Sequence, residues 1–266
     1  MGFGLIIIGD EILSGKRQDK HLPQVIAMLS ERGLQLDWAE YVGDNRERII
    51  ATLKRSFSSG DIVFSTGGIG ATPDDHTRQC AAAALGLPLE LHPDAKTLIQ
   101  QRVRDTAREA GKTVDLNAPE NLQRLKMGEF PQGAELIPNP YNKIPGFAIR
   151  QHYFVPGFPV MAWPMIAWVL DTHYASLFHR QPHAEKSVLV FDAIESALTP
   201  MMEALEAEFP LIKVFSLPSV GSETVRRHIE LGVKGEPQQV ETAFASMCRS
   251  LDQIGSDYVP AVAGAE

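Results

Sequence analysis

The first third of the chain alternates between strand-like and helix-like spacing of its apolar residues. Residues 3–9 (FGLIIIG) form a continuous apolar run, which is typical of a strand buried on both faces of a sheet. Residues 34–42 and 61–66 predict two further strands. This alternation predicts a parallel sheet with right-handed crossovers and helices on both of its faces. Helical spacing covers the segments between and after these strands, at residues 22–33, 44–60 and 76–86.

The middle of the chain is less regular. Residues 93–110, 117–125 and 160–178 have helical spacing, so we expect three more helices. The intervening residues 128–160 are rich in proline and glycine, which favours loops. Two short strands are predicted between those loops, at residues 147–150 and 152–155.

A polar stretch at residues 179–186 separates this pattern from a compact one that follows. The second pattern reads strand, helix, strand, strand, helix, which is most of a ferredoxin-like split βαβ unit. We therefore expect an α/β domain with a mostly parallel sheet at residues 1–182, and a small α+β ferredoxin-like domain at residues 183–266. The elements predicted for the small domain are strands at 187–192, 211–217 and 224–233 and helices at 195–208 and 237–254.

Composition restricts the class of protein. The chain has a formal net charge of -8 and no run of basic residues, which argues against a nucleic-acid partner. Its two cysteines, Cys80 and Cys248, are far apart and lack a CxxC spacing, so we expect free thiols. The N-terminal apolar run stops at Ile8, which is too short for a signal peptide or a membrane span. We expect a cytoplasmic protein without a membrane partner.

The segment FSTGGIGATPDDHT, residues 64–77, is the first candidate site. Gly67, Gly68 and Gly70 follow a predicted parallel strand and precede a helix, at the edge of the sheet where open α/β folds bind ligands. Glycines let backbone N–H groups approach an anion. The segment is neither a Walker loop nor a dinucleotide fingerprint, because no Gly-Lys-Ser/Thr follows and Pro73 stands at the third glycine position.

Two interpretations of the acids in this segment remain open. Thr72, Pro73 and Asp75 fit the start of a helix, with Thr72 as N-cap and Pro73 at the first helical position. Alternatively, the glycines hold a phosphate. In that case Asp74 and Asp75 would repel it unless a divalent cation lies between them, and Mg²⁺ suits carboxylates combined with phosphate oxygens.

The segment GDEILSGKRQD, residues 9–19, is the second candidate. Asp10 and Glu11 end the first strand, on the same edge as the glycine turn if both strands are parallel. Lys16 and Arg17 follow on a loop where they could contact phosphate, although a solvated loop explains them equally well. The histidines show no metal-binding spacing, and no GxSxG nucleophile motif is present.

Taken together, these loops and YVGDNRERI at 41–49 resemble the molybdopterin-binding (MoCF biosynthesis) family, and within it the competence/damage-inducible (CinA) branch. NPYNKIPGF and VPGFPVM resemble later loops of that branch, so the resemblance covers about residues 1–180. It implies a three-layer αβα domain with catalytic aspartates at Asp10 and Asp75. The candidate metal ligands are Glu11, Asp74 and Asp75. The candidate ligand-binding residues are Thr66, Gly67, Gly68, Gly70, Thr72, Lys16, Lys143, Pro145 and Gly146.

The chain departs from this family pattern at several positions. Met161 replaces a usual glutamate, which weakens a metal site carried over from the family. Lys20 and His21 stand where Thr-Asn is usual. Residues 142–146 read NKIPG in place of a GTAPG type, and the additional Lys143 favours an anionic ligand.

The leading functional hypothesis is a domain that binds molybdopterin or a nucleotide pyrophosphate with Mg²⁺. If it is catalytic, it hydrolyses an ADP-ribose-type pyrophosphate bond or transfers a nucleotidyl group. A non-catalytic binding or regulatory module is the alternative, and the missing glutamate favours it. A dinucleotide oxidoreductase with Glu90 on a ribose is the third hypothesis, which Pro73 and the acid pair oppose. The resemblance also implies a homo-oligomer, either a dimer or a trimer.

Overall fold

A computed structural model describes residues 2–180, 184–222 and 225–261. The chain forms two compact units, Met1–Phe178 and His179–Glu266. The boundary predicted between residues 182 and 183 falls in segment 181–183, which lies outside the described residues. Each unit is described by itself below.

The first unit is built on a six-stranded sheet with the strand order β2-β1-β3-β8-β7-β6. Strands β1, β2, β3 and β8 are parallel, and β7 is antiparallel to both of its neighbours. A separate antiparallel pair joins β4 to β5. The strands are β1 Phe3–Ile8, β2 Trp38–Val42, β3 Ile62–Thr66, β4 Leu89–Leu91, β5 Glu129–Pro131, β6 Glu135–Ile137, β7 Gly146–Ile149 and β8 His152–Val155.

Helices cover both faces of this sheet, as the sequence predicts. Leu5 and Ile7 of β1 pack into one apolar cluster with helices α2 and α7, while Ile6 and Ile8 pack into another with α3, α4 and α5. Every residue of β1 and β3 is buried, which explains the continuous apolar run of β1. The helices are α1 Asp10–Leu13, α2 His21–Ser30, α3 Arg46–Phe57, α4 Thr77–Leu85, α5 Pro93–Glu109, α6 Pro119–Leu125 and α7 Pro159–His173.

The second unit is an antiparallel sheet with the order β10-β11-β9-β12. Helices α8 and α9 pack their apolar residues against one set of alternating strand positions, which includes Val188, Val190 and Leu231. The predicted β-α-β-β-α order is confirmed, and β12 completes the ferredoxin-like arrangement. The elements are β9 Ala184–Phe191, α8 Glu195–Glu208, β10 Ile212–Ser219, β11 His228–Gly235, α9 Pro237–Gln253 and β12 Tyr258–Pro260.

Several predicted boundaries move. The strand predicted at 34–42 begins only at Trp38. Residue 224, where another strand is predicted to begin, lies outside the described residues, and that strand runs from His228 to Gly235. Both cysteines are free, as expected, and burial raises the pKa of the Cys80 thiol to about 11. Among the described residues, no helix has the length and apolar character that a membrane span requires.

Candidate ligand-binding site

A cavity of about 830 Å³ lies at the carboxyl edge of the parallel strands in the first unit. Its walls come from the segments that follow β1, β3 and β8, together with Asp44 after β2. Parallel pairing brings these four strand ends to one edge, so the two loops singled out from the sequence do converge. The predicted residues that line this cavity are Glu11, Thr66, Gly67, Gly68, Gly70, Thr72, Asp74, Asp75 and Pro145.

The glycine turn is shaped by close packing. Gly67 and Gly68 have positive φ angles of 97° and 68°, which favour glycine. A Cβ on Gly67 would overlap the backbone oxygen of Ile8, and one on Gly68 would overlap the Thr77 hydroxyl. A Cβ on Gly70 would likewise overlap the Asp75 carboxylate. Close packing therefore explains why glycine stands at each of these three positions, and phosphate binding by this turn stays a prediction.

The turn nevertheless leaves polar groups available to a ligand. Within the described residues, no acceptor takes up the backbone N–H groups of Gly68–Ala71. The hydroxyl oxygen of Thr66 is buried and has no hydrogen-bond partner among the described residues. Buried polar groups are normally paired, because an unpaired one costs about 1–3 kcal/mol. Thr66 and Gly68–Ala71 are lining residues of the cavity, so these groups can serve an anionic or hydroxyl-bearing ligand that reaches them.

The helix-cap interpretation of the acid pair is wrong. Helix α4 begins at Thr77, whose N–H donates to the oxygen of Gly68 at 3.0 Å and whose hydroxyl donates to that of Gly67 at 3.1 Å. Asp75 instead closes a turn: its carboxylate accepts from the backbone N–H of Thr72 at 2.8 Å and from the Thr72 hydroxyl at 2.5 Å. Tertiary contacts with the glycine turn thus delay the helix by one turn.

Arg78 stabilises the glycine turn through a side-chain hydrogen bond. Its side chain is buried and donates from Nη2 to the oxygen of Gly70 at 2.6 Å. Burial lowers the pKa of this guanidinium, and the charges of Asp75 and Glu129 oppose that effect. A buried cation next to Asp75 offsets part of the negative charge on the turn.

A second cavity, of about 640 Å³, is lined by acids from three loops. Asp10 and Asp44 form two reciprocal hydrogen bonds between backbone and side chain. The N–H of Asp10 donates to the Asp44 carboxylate at 2.9 Å, and the N–H of Asp44 donates to the Asp10 carboxylate at 3.1 Å. Burial raises the pKa of Asp44, and the charges of Asp10, Glu11 and Asp74 raise it further against the backbone hydrogen bond. The predicted Lys16 also lines this cavity.

The described residues contain no group of three or more His, Cys, Asp and Glu side chains arranged to hold a metal ion. The donor chemistry still suits a hard cation. Glu11 and Asp74 line both cavities, and Mg²⁺ is commonly held by one or two carboxylates with phosphate oxygens and water. A cation at this position would therefore need oxygens from a ligand to complete its coordination.

Two predicted ligand residues lie elsewhere. Lys143 pairs with Asp105 of α5, with 2.7 Å between its Nζ and the carboxylate, and is absent from the described lining of the cavity. Gly146 is buried at the start of β7, where a Cβ would overlap the backbone oxygen of Phe154. Neither residue is in the described lining of the cavity, and ligand contacts by these two residues stay a prediction.

The loop that carries them is organised by asparagines. Asn139 donates from its amide to the Asn142 side chain at 2.9 Å and to the oxygen of Ile144 at 3.0 Å. The Asn142 amide in turn contacts the sulfur of Met161 at 3.3 Å. Met161 lines the cavity where the family pattern has glutamate, so a weak thioether acceptor takes the place of a carboxylate.

Sequence reasoning missed His21, Asn139 and Phe158 as parts of the site, although all three line the cavity. His21 opens α2 and its Nε2 lies 3.0 Å from the oxygen of Gly157, 136 residues along the chain. No spacing rule connects positions so far apart. The sequence offered no signal for Phe158 either, because its 55% exposure next to the cavity is visible only in the structure. Glu90, proposed for a ribose, instead accepts from Gln132 at 3.0 Å and is absent from the described lining.

Comparison with known proteins gives consistent matches. The family model described as "Probable molybdopterin binding domain" matches residues 4–174, more than half of the chain. A CinA-like protein of Anaeromyxobacter sp. is 30% identical over 87% of this chain, and the match spans 58% of that relative's length. The chain thus spans little more than half of that curated relative.

Two further matches cover most of the protein compared. A protein of Caldivirga maquilingensis is 28% identical, with 95% of each chain covered. The crystal structure of a CinA of unknown function from Thermoplasma acidophilum is 26% identical, with a TM-score of 0.53. It covers 64% of this chain and 96% of its own. The resemblance drawn from the loops and the predicted fold class are confirmed.

Proposed function

This chain belongs to the family of probable molybdopterin binding domains, and we propose that its cavity binds a small ligand that joins a pterin or purine ring to a phosphate or pyrophosphate group. The observation that carries this proposal is the set of unpaired polar groups on the cavity wall. The N–H groups of Gly68–Ala71 and the hydroxyl of Thr66 have no partner among the described residues. They suit phosphate oxygens.

The size and charge of the cavity fit the same class of ligand. A volume of about 830 Å³ lies within the usual range for small-molecule sites. Arg17 and Lys20 line it, and neither forms an ion pair within the described part of the chain. These cations are available to a pyrophosphate, while the acids in the cavity lining would require a cation between them and the ligand.

Metal-dependent cleavage of a pyrophosphate bond is a second candidate function, which the acid-lined second cavity favours. Glu11 and Asp74 would hold Mg²⁺ together with ligand oxygens, and the ion would neutralise charge on the pyrophosphate. Asp10 and Asp75 would orient water or the ligand, with the glycine turn and Lys16 near the phosphates. A non-catalytic carrier or sensor is the alternative, and Met161 beside Asn142 favours it because no carboxylate stands there.

Thermal unfolding with ligands tests the proposal. We expect ADP-ribose, ATP or a pterin phosphate to raise the unfolding midpoint, because a ligand that binds only the native state stabilises it by mass action. If Glu11 and Asp74 hold Mg²⁺, the shift will require the metal and will be lost in Asp74→Asn. Glu203→Gln is the control, since Glu203 is exposed on α8 of the second unit and lines neither cavity.

Three outcomes separate the candidates. A metal-dependent shift that Asp74→Asn removes leads to turnover assays on ADP-ribose. A shift that needs no metal, without turnover, supports the binding module. No shift with any of these compounds, while the wild-type chain unfolds cooperatively, contradicts the proposed function.

A further inference from the structure

We infer that His21 selects the ring of the bound ligand, by accepting a hydrogen bond at Nδ1 from an N–H group of that ring. This inference rests on the proposed function and extends it, because it assigns one part of the cavity to the heterocycle and another to the phosphate. It depends on the two nitrogens of one buried imidazole.

The hydrogen bonding of His21 fixes which nitrogen carries a proton. Its Nε2 lies 3.0 Å from the backbone oxygen of Gly157. A carbonyl oxygen only accepts, so Nε2 must be the donor. The neutral ring then presents Nδ1 as an acceptor. Among the described residues no carboxylate lies within ion-pair distance of this ring.

The acceptor has no partner in the described part of the protein. Nδ1 is buried and makes no hydrogen bond, although the side chain lines the cavity. The backbone around it is well fixed: the N–H of His21 donates to Asp19 at 2.8 Å, and Asp19 also accepts from Leu22 at 3.0 Å. An acceptor held this firmly and left unpaired discriminates among ligands, because only a donor relieves its cost.

The identity of that donor follows from simple chemistry. A phosphate at neutral pH offers acceptor oxygens, so it cannot pair with a neutral Nδ1. Pterin and adenine rings carry amino groups that donate. The neighbouring Phe158 is an exposed aromatic side chain on the same cavity wall, which gives a planar ring an apolar surface to stack on. We therefore assign His21 and Phe158 to the ring of the ligand, and Gly68–Ala71 to its phosphate.

Two substitutions separate the roles of the two nitrogens. In His21→Gln the amide nitrogen can still donate to Gly157, but the acceptor at the Nδ1 position is lost. In His21→Asn the side-chain oxygen occupies the Nδ1 position, while the bond to Gly157 is lost. The probes are ADP, 6-hydroxymethylpterin diphosphate and inorganic pyrophosphate, each titrated by calorimetry with Mg²⁺ present.

We expect His21→Gln to bind ADP or the pterin diphosphate roughly tenfold more weakly, the effect of one hydrogen bond to a buried acceptor, with pyrophosphate affinity unchanged. His21→Asn should keep the preference for ring-bearing probes and lose thermal stability instead. Equal weakening of all three probes in His21→Gln, or no weakening, would overturn the inference while the proposed function stands. If no probe binds the wild-type chain, both fail.

Discussion

The two units place their polar groups differently because their sheets are built differently. In the first unit the central strands are parallel and buried on both faces, so their carboxyl ends meet at one edge and the loops there form the cavity. In the second unit neighbouring strands are antiparallel, and the helices pack against one set of alternating strand positions. The position of the cavity in the first unit therefore follows from the direction of its strands. A residue type such as glycine also has different roles in the two sheets.

Glycine provides the largest expected difference between the units. Gly67 has a positive φ, and a Cβ there would overlap a backbone oxygen, whereas a Cβ on Gly232 of β11 would overlap only side-chain atoms, the end of the half-buried Phe215 ring and the Cβ of Ser187. We expect Gly67→Ala to lower the free energy of unfolding by about 3 kcal/mol and Gly232→Ala by about 1 kcal/mol. All 3 tryptophans lie in the first unit, so their fluorescence during urea denaturation follows Gly67→Ala, and far-UV circular dichroism follows Gly232→Ala.

Gly60→Ala is the control for conformational strain alone. Gly60 has a φ of 75°, and a Cβ there would meet nothing within 4 Å. We expect a cost of about 1 kcal/mol from the left-handed backbone. If Gly67→Ala costs no more than this control, the turn is not held against β1 as described.

Histidine gives the next largest effect. His152 of β8 is buried, its Nε2 lies 2.6 Å from the Ser56 hydroxyl and its Nδ1 lies 2.9 Å from the oxygen of Arg150. Burial lowers its pKa to about 4, against 6.5 for the free side chain. The unfolded chain therefore takes up the proton first as the pH falls. The contribution of His152 is complete above pH 6.5 and declines as the pH falls toward 4.

When the pH is lowered from 7.5 to 5, we expect the His152 imidazole to lower the free energy of unfolding by about 2 kcal/mol. Urea denaturation at both pH values measures it. His152→Phe, which cannot titrate, should lose this part of the pH dependence whatever its stability at pH 7.5. An unchanged pH dependence in His152→Phe would show that other groups are responsible.

The smallest effect concerns Lys143, which was predicted to contact an anion and pairs with Asp105 in the structure. Its ion pair with Asp105 is half exposed, and such pairs contribute about 0–1 kcal/mol. Lys143→Gln should lower the free energy of unfolding by less than about 1 kcal/mol. Its ligand affinity should equal that of Lys112→Gln, a control at an exposed lysine that forms no ion pair among the described residues. A selective loss of pyrophosphate affinity in Lys143→Gln would return this residue to the site.

Much of the first unit could be predicted from its sequence. Apolar runs buried on both faces indicate parallel strands, and parallel strands bring Asp10 and Gly67 to the same edge. The short strands β4, β5 and β6 were not predicted, since three residues show no period and proline-rich segments favour loops. The start of α4 could not be predicted either. Thr72 and Pro73 fit a helix start locally, but the bonds of Thr77 to the glycine turn move that start.

The sequence by itself determined the order of the elements, the two units and the glycine turn, because periodicity and backbone freedom are local properties of the chain. Only the tertiary structure decided which polar groups remain unpaired. His21 meets Gly157, Asn142 meets Met161 and Lys143 meets Asp105 across intervals from 19 to 136 residues. Such partnerships arise from packing of distant segments, and the candidate site consists of the groups which that packing leaves available.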